Sequence, residues 1–395
     1  MILKSLGRYL RYSFITCFAR KERALLWRNI TSYISGAYKN ASYGVTEKKA
    51  AMDRAAHWLL NNQQFQKDKG FSTYYIVDGH TSSYPETSGY IIDSLFAYSQ
   101  AYLRGDLQPL LDCADWLVSI QKESGGWQAG YVDAGKPEVV FNTGQVMRGL
   151  MKAFELTKKQ DYLDACIRAG NWLCSIQEMD GSWQTMASMQ AKRTYDSYVA
   201  APLVQLYLVT GDEKYRIAAE KNIYWIIDTQ QQKNYWFANA DNTLQYNHKP
   251  ILHTIAYTID GMLDAGLMLK NDVFITSATN SADVVLNMFQ EHKALNGRYD
   301  KNWHGSQYMI CTGCAQMSII WSKLYKHTHE KKYREAADKM NNQLIHIQGF
   351  TRRMGVQSEG ALQGSFPVWG KYEPFAFPNW ATKYLLDALM LELGL

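Results

Sequence analysis

His253 and Tyr257 stand one helical turn apart in HTIAYTIDGMLDAG, so on a helix both side chains leave the same face. A histidine exchanges a proton near neutral pH, and a tyrosine one turn on can return a proton or stabilise charge. That pair suits proton abstraction beside a uronate carboxylate, the step shared by lyases and C5-epimerases. Other segments repeat the spacing with different polar types: Glu86 precedes Tyr90, Asn142 precedes Gln145, Thr312 precedes Gln316, and Asn379 precedes Lys383, each by one turn. Asp196 follows Arg193 and Tyr195 directly. Glu86 and Asp196 offer a carboxylate pair for glycoside hydrolysis, with Asp300 in GRYDKNW as a third candidate. The catalytic candidates are therefore His253, Tyr257, Glu86 and Asp196. The candidates for holding a substrate are Arg193, Tyr90, Asn142, Gln145, Trp303, Gln316, Tyr372, Asn379, Trp380 and Lys383. Among these, the cations suit carboxylates and the flat rings suit the C–H faces of sugars. N-capping is the plainer reading of Asn142, Asp196, Thr312 and Asn379. It does not explain the second polar residue a turn later on an otherwise apolar helix.

These clusters all open one kind of segment. ETSGYIIDSLFAY from Glu86, NTGQVMRGLMKAF from Asn142, DSYVAAPLVQLYL from Asp196, HTIAYTIDGMLDAG from His253, CTGCAQMSIIWSKLY from Cys311 and NWATKYLLDALML from Asn379 each begin polar and turn apolar. A second kind alternates with it and ends in glutamine, often after a tryptophan. AAHWLLNNQ ends at Gln63, CADWLVSIQ at Gln121, RAGNWLCSIQ at Gln177, NIYWIIDTQ at Gln230, ADVVLNMFQ at Gln290 and MNNQLIHIQ at Gln348. Both series repeat about every 56 residues. Glycine-aromatic turns follow several copies, at Gly70-Phe71, Gly126-Trp127 and Gly181-Ser182-Trp183.

Two interleaved series of six predict six helical hairpins. The Trp/Gln helices carry the solvated faces, as in DYLDACIRAGNW and KKYREAADKMNN, and belong outside. The more apolar series belongs inside. No single hairpin can bury its apolar face, but six in sequence can close into a ring. The expected fold is all-α, an (α/α)6 toroid over residues 49–395, preceded by a basic helical extension at residues 1–48. The inner helices then share one direction. Their polar N-termini meet at one end of the ring and add positive potential there, which suits an anionic ligand.

Composition agrees with a large buried core: 47% of the 395 residues are hydrophobic and 20% charged, with 27 Tyr, 12 Trp and only 8 Pro. The net charge of +5 is too small for its length to argue for nucleic acid. Most of the excess lies at the N-terminus, in Lys4, Arg8, Arg11, Arg20, Lys21, Arg23 and Arg28 against Glu22. Leu3, Leu6 and Leu10 share one helical face there, which permits a peripheral membrane contact. Neither a secretory leader nor a spanning helix is expected, and the 6 Cys show no dense disulfide pattern. A cytoplasmic location is expected, and the basic N-terminus allows a peripheral place at the inner membrane. CTGC, with Cys311 and Cys314, is a lone CxxC. Zinc together with His253 and Asp300 is conceivable, but neither a metal nor another cofactor is expected.

WLVSIQKESGGWQ (116–128) and WLCSIQEMDGSWQ (172–184) resemble the QW motifs of squalene and oxidosqualene cyclases. The resemblance extends in style over residues 50–393 and implies the wider α/α-toroid group, which includes terpenoid cyclases, prenyltransferase β subunits, unsaturated glucuronyl hydrolases, polysaccharide lyases and epimerases. YPETSGY (84–90), FNTGQV (141–146), HTIAYT (253–258) and PNWATK (378–383) resemble poorly characterised toroid proteins associated with bacterial surface-polysaccharide genes. That likeness implies an enzyme acting on an acidic glycan or glycolipid, by lyase, epimerase or hydrolase chemistry. A glycan-binding or assembly protein is the alternative. The DxDD and DDxxD acid motifs are absent, which argues against isoprenoid chemistry. GSFPVWGKYEPFAFPNW (364–380), rich in aromatics, Gly and Pro, is expected to lie across the cavity mouth.

Overall fold

The computed structural model describes residues 10–14, 20–102, 106–306 and 308–394. Leu3, Leu6, Lys4, Arg8 and Cys17 lie outside the described residues. Six outer helices alternate with six inner ones. The outer helices are α2 (Val45–Gln64), α4 (Gln108–Ser119), α6 (Gln160–Ser175), α8 (Glu213–Trp225), α10 (Asp272–His292) and α12 (Lys331–Gln348). The inner helices are α3 (Pro85–Tyr102), α5 (Val140–Thr157), α7 (Ser197–Thr210), α9 (Leu252–Leu269), α11 (Cys311–Thr328) and α13 (Asn379–Glu392). Each inner helix packs on the next, and α13 packs back on α3, so the ring is closed. This is the (α/α)6 toroid that the repeat predicts. Before it, α1 (Arg20–Ser35) lies outside the ring. Its buried Asn29 bonds Gln363 and the Val368 amide, and Ser32 bonds His346. Among the described residues, no helix is long and apolar enough to cross a membrane.

The inner helices sit close together because small residues face one another. A Cβ on Gly149 would come 2.1 Å from the Gly89 carbonyl oxygen, and one on Gly261 would come 2.3 Å from the Ser197 carbonyl carbon. Strand pairing completes the closure. β1 (Tyr74–Tyr75) lies between β2 (Gly79–His80) and β5 (Ala376–Phe377), all antiparallel, which joins the first hairpin's loop to the last. β3 (Met309–Ile310) pairs with β4 (Ser365–Phe366).

The recurrent glutamines have a physical task. Gln121 Nε2 donates to the Gly125 carbonyl at 2.8 Å and to the Ala165 carbonyl of the next outer helix at 2.9 Å. Gln177 does the same to Gly181 and Ala218, Gln63 to Lys69 and Pro109, and Gln348 to Gly360 and Ala51, closing the ring. Two expected copies differ. A π-helical turn at Ile226–Gln230 inserts one residue, so Gln231 rather than Gln230 reaches the Ser277 carbonyl. At the junction where Gln290 was expected, Gln343 instead reaches back from α12 to the Lys293 carbonyl. Each clip joins two helices by buried or part-buried bonds to backbone oxygens. Gln121→Leu is therefore expected to lower unfolding stability by roughly 2–3 kcal/mol, read from the urea midpoint, because it strands two carbonyls.

Candidate functional site

The polar starts of the inner helices do converge. Those of α3, α5, α9 and α13 line an upper cavity of about 530 Å³, with Glu86, Tyr90, Asn142, His253 and Tyr257 on its walls. Tyr372 and Glu373 come to it from the segment before α13, as expected of that loop, and Trp380 comes from the first turn of α13. The Trp380 indole donates to the Tyr372 hydroxyl at 2.9 Å, and the Ser365 hydroxyl holds the Tyr372 carbonyl at 2.6 Å, so both rings are fixed. A layer of tyrosines closes the inner end. Tyr257 lies 4.6 Å from Tyr198 and 5.9 Å from Tyr384, and Tyr90 lies 5.7 Å from Tyr384, between ring centroids. The Tyr384 hydroxyl donates to that of Tyr257 at 3.2 Å.

Glu86 is the buried acid of this cavity. Desolvation pushes its carboxyl up to about 7, against a hydrogen bond from Tyr84 that pulls the other way. His253 is held neutral: burial lowers its pKa to about 4, opposed by the bond to Gln316. Its Nδ1 lies 2.7 Å from Gln316 Oε1, which can only accept, so Nδ1 carries the proton and Nε2 is left as an acceptor. The His253 and Tyr257 rings are 4.5 Å apart, as their spacing predicts.

Arg193 and Asp196, expected as substrate-holding and catalytic residues, are not on the cavity wall; they flank Tyr195, which lines it. Both are 1% exposed. Arg193 Nη1 donates to Asn247 at 3.0 Å, while its Nε and Nη2 have no partner, and neither Asp196 oxygen has one. Burial raises Asp196 to about 8, with Arg193 pulling it down. Asp196 is thus a protonated acid at neutral pH.

Several expected substrate contacts are placed elsewhere. Lys383 pairs with Asp387 at 2.7 Å and faces the opposite end of the ring, because one turn down α13 already lies beneath the tyrosine layer. Gln145 bonds the Phe141 carbonyl and Arg148 inside the wall. Gln316 stands behind His253, and Asn379 donates to Thr87 at 3.0 Å. Trp303 lies on a turn away from the cavity and donates to the Asn234 carbonyl. Asp300 accepts the amides of Asn302 and His304 in that same turn. The capping reading also fails: Asn142, Asp196, Thr312 and Asn379 make no side-chain cap bonds, since most of the helices begin earlier than their polar residues suggest. Cys311 and Cys314 are buried free thiols, and among the described residues no three His, Cys, Asp or Glu gather as metal ligands.

Sequence reasoning missed Glu373 and Lys136, which also line the cavity. Glu373 accepts a hydrogen bond from the Tyr75 hydroxyl. Both sit in loops outside the repeat, so the periodicity carried no signal for them.

The ring with a polar pocket at one end is the fold, and the family match gives its class, a glycoside hydrolase. Residues 30–290 match the model of the β-L-arabinofuranosidase catalytic domain of glycoside hydrolase family 127, and the chain belongs to that family. No curated protein matches it. The fold is similar to the unsaturated glucuronyl hydrolase from Bacillus sp. GL1, with TM-score 0.69, 16% identity, and 87% of this chain and 96% of that one covered. It is also similar to an Asp-to-Asn variant of the Streptococcus agalactiae unsaturated glucuronyl hydrolase solved with dGlcA-GalNAc6S, with TM-score 0.63, 15% identity, and 88% and 92% covered. An α-amylase from Clostridium perfringens gives TM-score 0.63 at 14% identity, covering 88% of this chain and 98% of that one. At these identities the structures share the fold.

Proposed function

We propose that this hydrolase removes an acidic, uronate-type sugar from the end of a glycan or glycolipid, within bacterial surface-polysaccharide metabolism. One observation supports the acidic substrate above the rest: Arg193, buried behind the cavity-lining Tyr195, keeps two N–H groups without partners. A guanidinium in that state matches a carboxylate. Protonated Asp196 adds a donor beside it, Lys136 adds a positive charge at the mouth, and the inner-helix N-termini point the same way. The glucuronyl hydrolase solved with dGlcA-GalNAc6S accommodates an acidic sugar in the same fold. The tyrosine layer makes the cavity a blind pocket, which suits a chain end.

In this reading Glu86 protonates the glycosidic oxygen, and His253 Nε2 accepts a proton from the attacking water. Tyr257, tied to Tyr384, orients the His253 ring. Tyr90, Asn142, Tyr372 and Trp380 hold the sugar. The test is a panel of oligosaccharides ending in uronate or in the matching neutral sugar. Release of a terminal uronate residue alone supports the proposal, and equal release of both ends the acidic assignment. New ultraviolet absorbance, or deuterium gained at C5, would instead mark lyase or epimerase chemistry. His253→Gln is expected to abolish turnover while Glu373→Gln retains it; the reverse would give the base role to Glu373.

A peripheral membrane contact belongs to the same proposal. Trp27 and Ile34 are 66% and 79% exposed on α1, beside the exposed Arg23. Binding to vesicles containing anionic lipid, weakened by Trp27→Ser, is the expected result; no sedimentation with such vesicles removes this part.

A further inference from the structure

Beneath the tyrosine layer a second cavity of about 390 Å³ opens at the C-terminal end of the inner ring. The hydrolytic reading makes no use of it. Its walls carry 4 carboxylates, Asp93, Asp260, Asp264 and Asp387, against 3 cations, Arg148, Lys323 and Lys383. Three of the carboxylates are matched. Lys323 Nζ lies 2.6 Å from both Asp260 and Asp264, and Lys383 lies 2.7 Å from Asp387. Arg148 is spent on the wall: it donates to Gln145 at 3.1 Å and to the Tyr198 carbonyl at 2.7 Å, with its guanidinium 3.8 Å over the Tyr198 ring. Lys383 likewise lies 4.0 Å over the Tyr384 ring. Asp93 alone among the four has neither a hydrogen bond nor an ion pair within the described residues. The nearby Lys152 is paired with Glu155 at 3.0 Å.

Asp93 is half-buried, and an unmatched charge in a partly desolvated cavity is relieved by a proton or by a counter-ion. Burial accordingly pushes Asp93 up to about 6, with Lys383 opposing. At neutral pH and above, most of that carboxylate is ionised. The six inner-helix C-termini converge on the same end and add partial negative charge. The carboxylates are spread around the ring and mostly held by lysines, so they do not form the compact oxygen cage that a divalent metal requires. The rim is apolar, with Leu267, Met268, Ile319 and Met390, which suits the methylene groups of an organic ion.

We propose that this lower cavity binds a small organic ammonium compound, its charged nitrogen on Asp93 and its carbon chain against the Met268 and Met390 rim. The test is thermal unfolding of the full chain at pH about 8 with putrescine as probe, against potassium chloride at equal ionic strength. The midpoint is expected to rise with putrescine and saturate, by about 3 °C at a hundredfold excess over Kd. Potassium chloride is expected to give no such rise, and Asp93→Asn to remove it. Gln205→Lys, which places a tethered ammonium in the cavity from α7, is expected to raise the midpoint without ligand and to abolish the response. No rise with putrescine, an equal rise in Asp93→Asn, or an equal rise with potassium chloride each overturns the proposal. If Asp93→Asn does not fold, a putrescine response retained by Gln205→Lys overturns it alone.

Discussion

Glu86→Gln is expected to lower kcat by about 10³-fold while KM changes little, because the substitution keeps size and hydrogen bonding but removes the transferable proton. The pH profile gives an independent reading. An acid with a pKa of about 7 is protonated below that value, so the alkaline limb of kcat should fall through pH about 7 in the wild type. Stability should fall over the same pH range as activity. The native carboxyl is raised from 4.5 to about 7, so the folded state holds the extra proton across that window. Wild-type stability therefore declines as pH rises through it, and the full cost, on the order of 3 kcal/mol, is present above the upper value. Glu86→Gln removes a titratable group that burial penalises, so at pH about 8 the variant should unfold at the same temperature as the wild type or higher. A variant that is inactive and also less stable at that pH would point to a structural role and sink the assignment.

Arg193→Leu is expected to reduce kcat/KM about 100-fold on a uronate-terminated substrate, mainly through KM, and to leave a neutral counterpart unaffected. The magnitude follows from two charge-assisted hydrogen bonds at about 1.5 kcal/mol each. The fold should survive, since Asp196 is protonated at neutral pH and loses no obligatory counter-charge. The same group predicts a stability effect. Raised from 3.8 to about 8, Asp196 costs the native state progressively more as pH climbs through that interval. Asp196→Asn should flatten the slope of stability against pH there. Equal loss on acidic and neutral substrates in Arg193→Leu would place the guanidinium outside substrate recognition.

The sequence by itself determined the ring. Its information lay in a period, and a period survives without coordinates: six glutamines and six polar-to-apolar segments define alternating helices whichever way each side chain turns. The same logic placed Glu86, Tyr90, Asn142, His253 and Tyr257 on one cavity, because i and i+4 share a face of a straight helix. The one-residue shift from Gln230 to Gln231 escaped it, since a π-helical turn changes phase without changing composition. Tertiary structure alone decided the depth at which each polar residue sits. Lys383 has the spacing of an upper-site residue, yet α13 carries it below the tyrosine layer to Asp387, while Gln316 turns to the His253 ring. Glu373 and Lys136 enter from loops, whose paths depend on the strand pairings and packing that surround them. The protonation of Glu86 and Asp196 was also beyond the sequence, because desolvation depends on what surrounds a carboxyl in space, and the repeat says nothing of that.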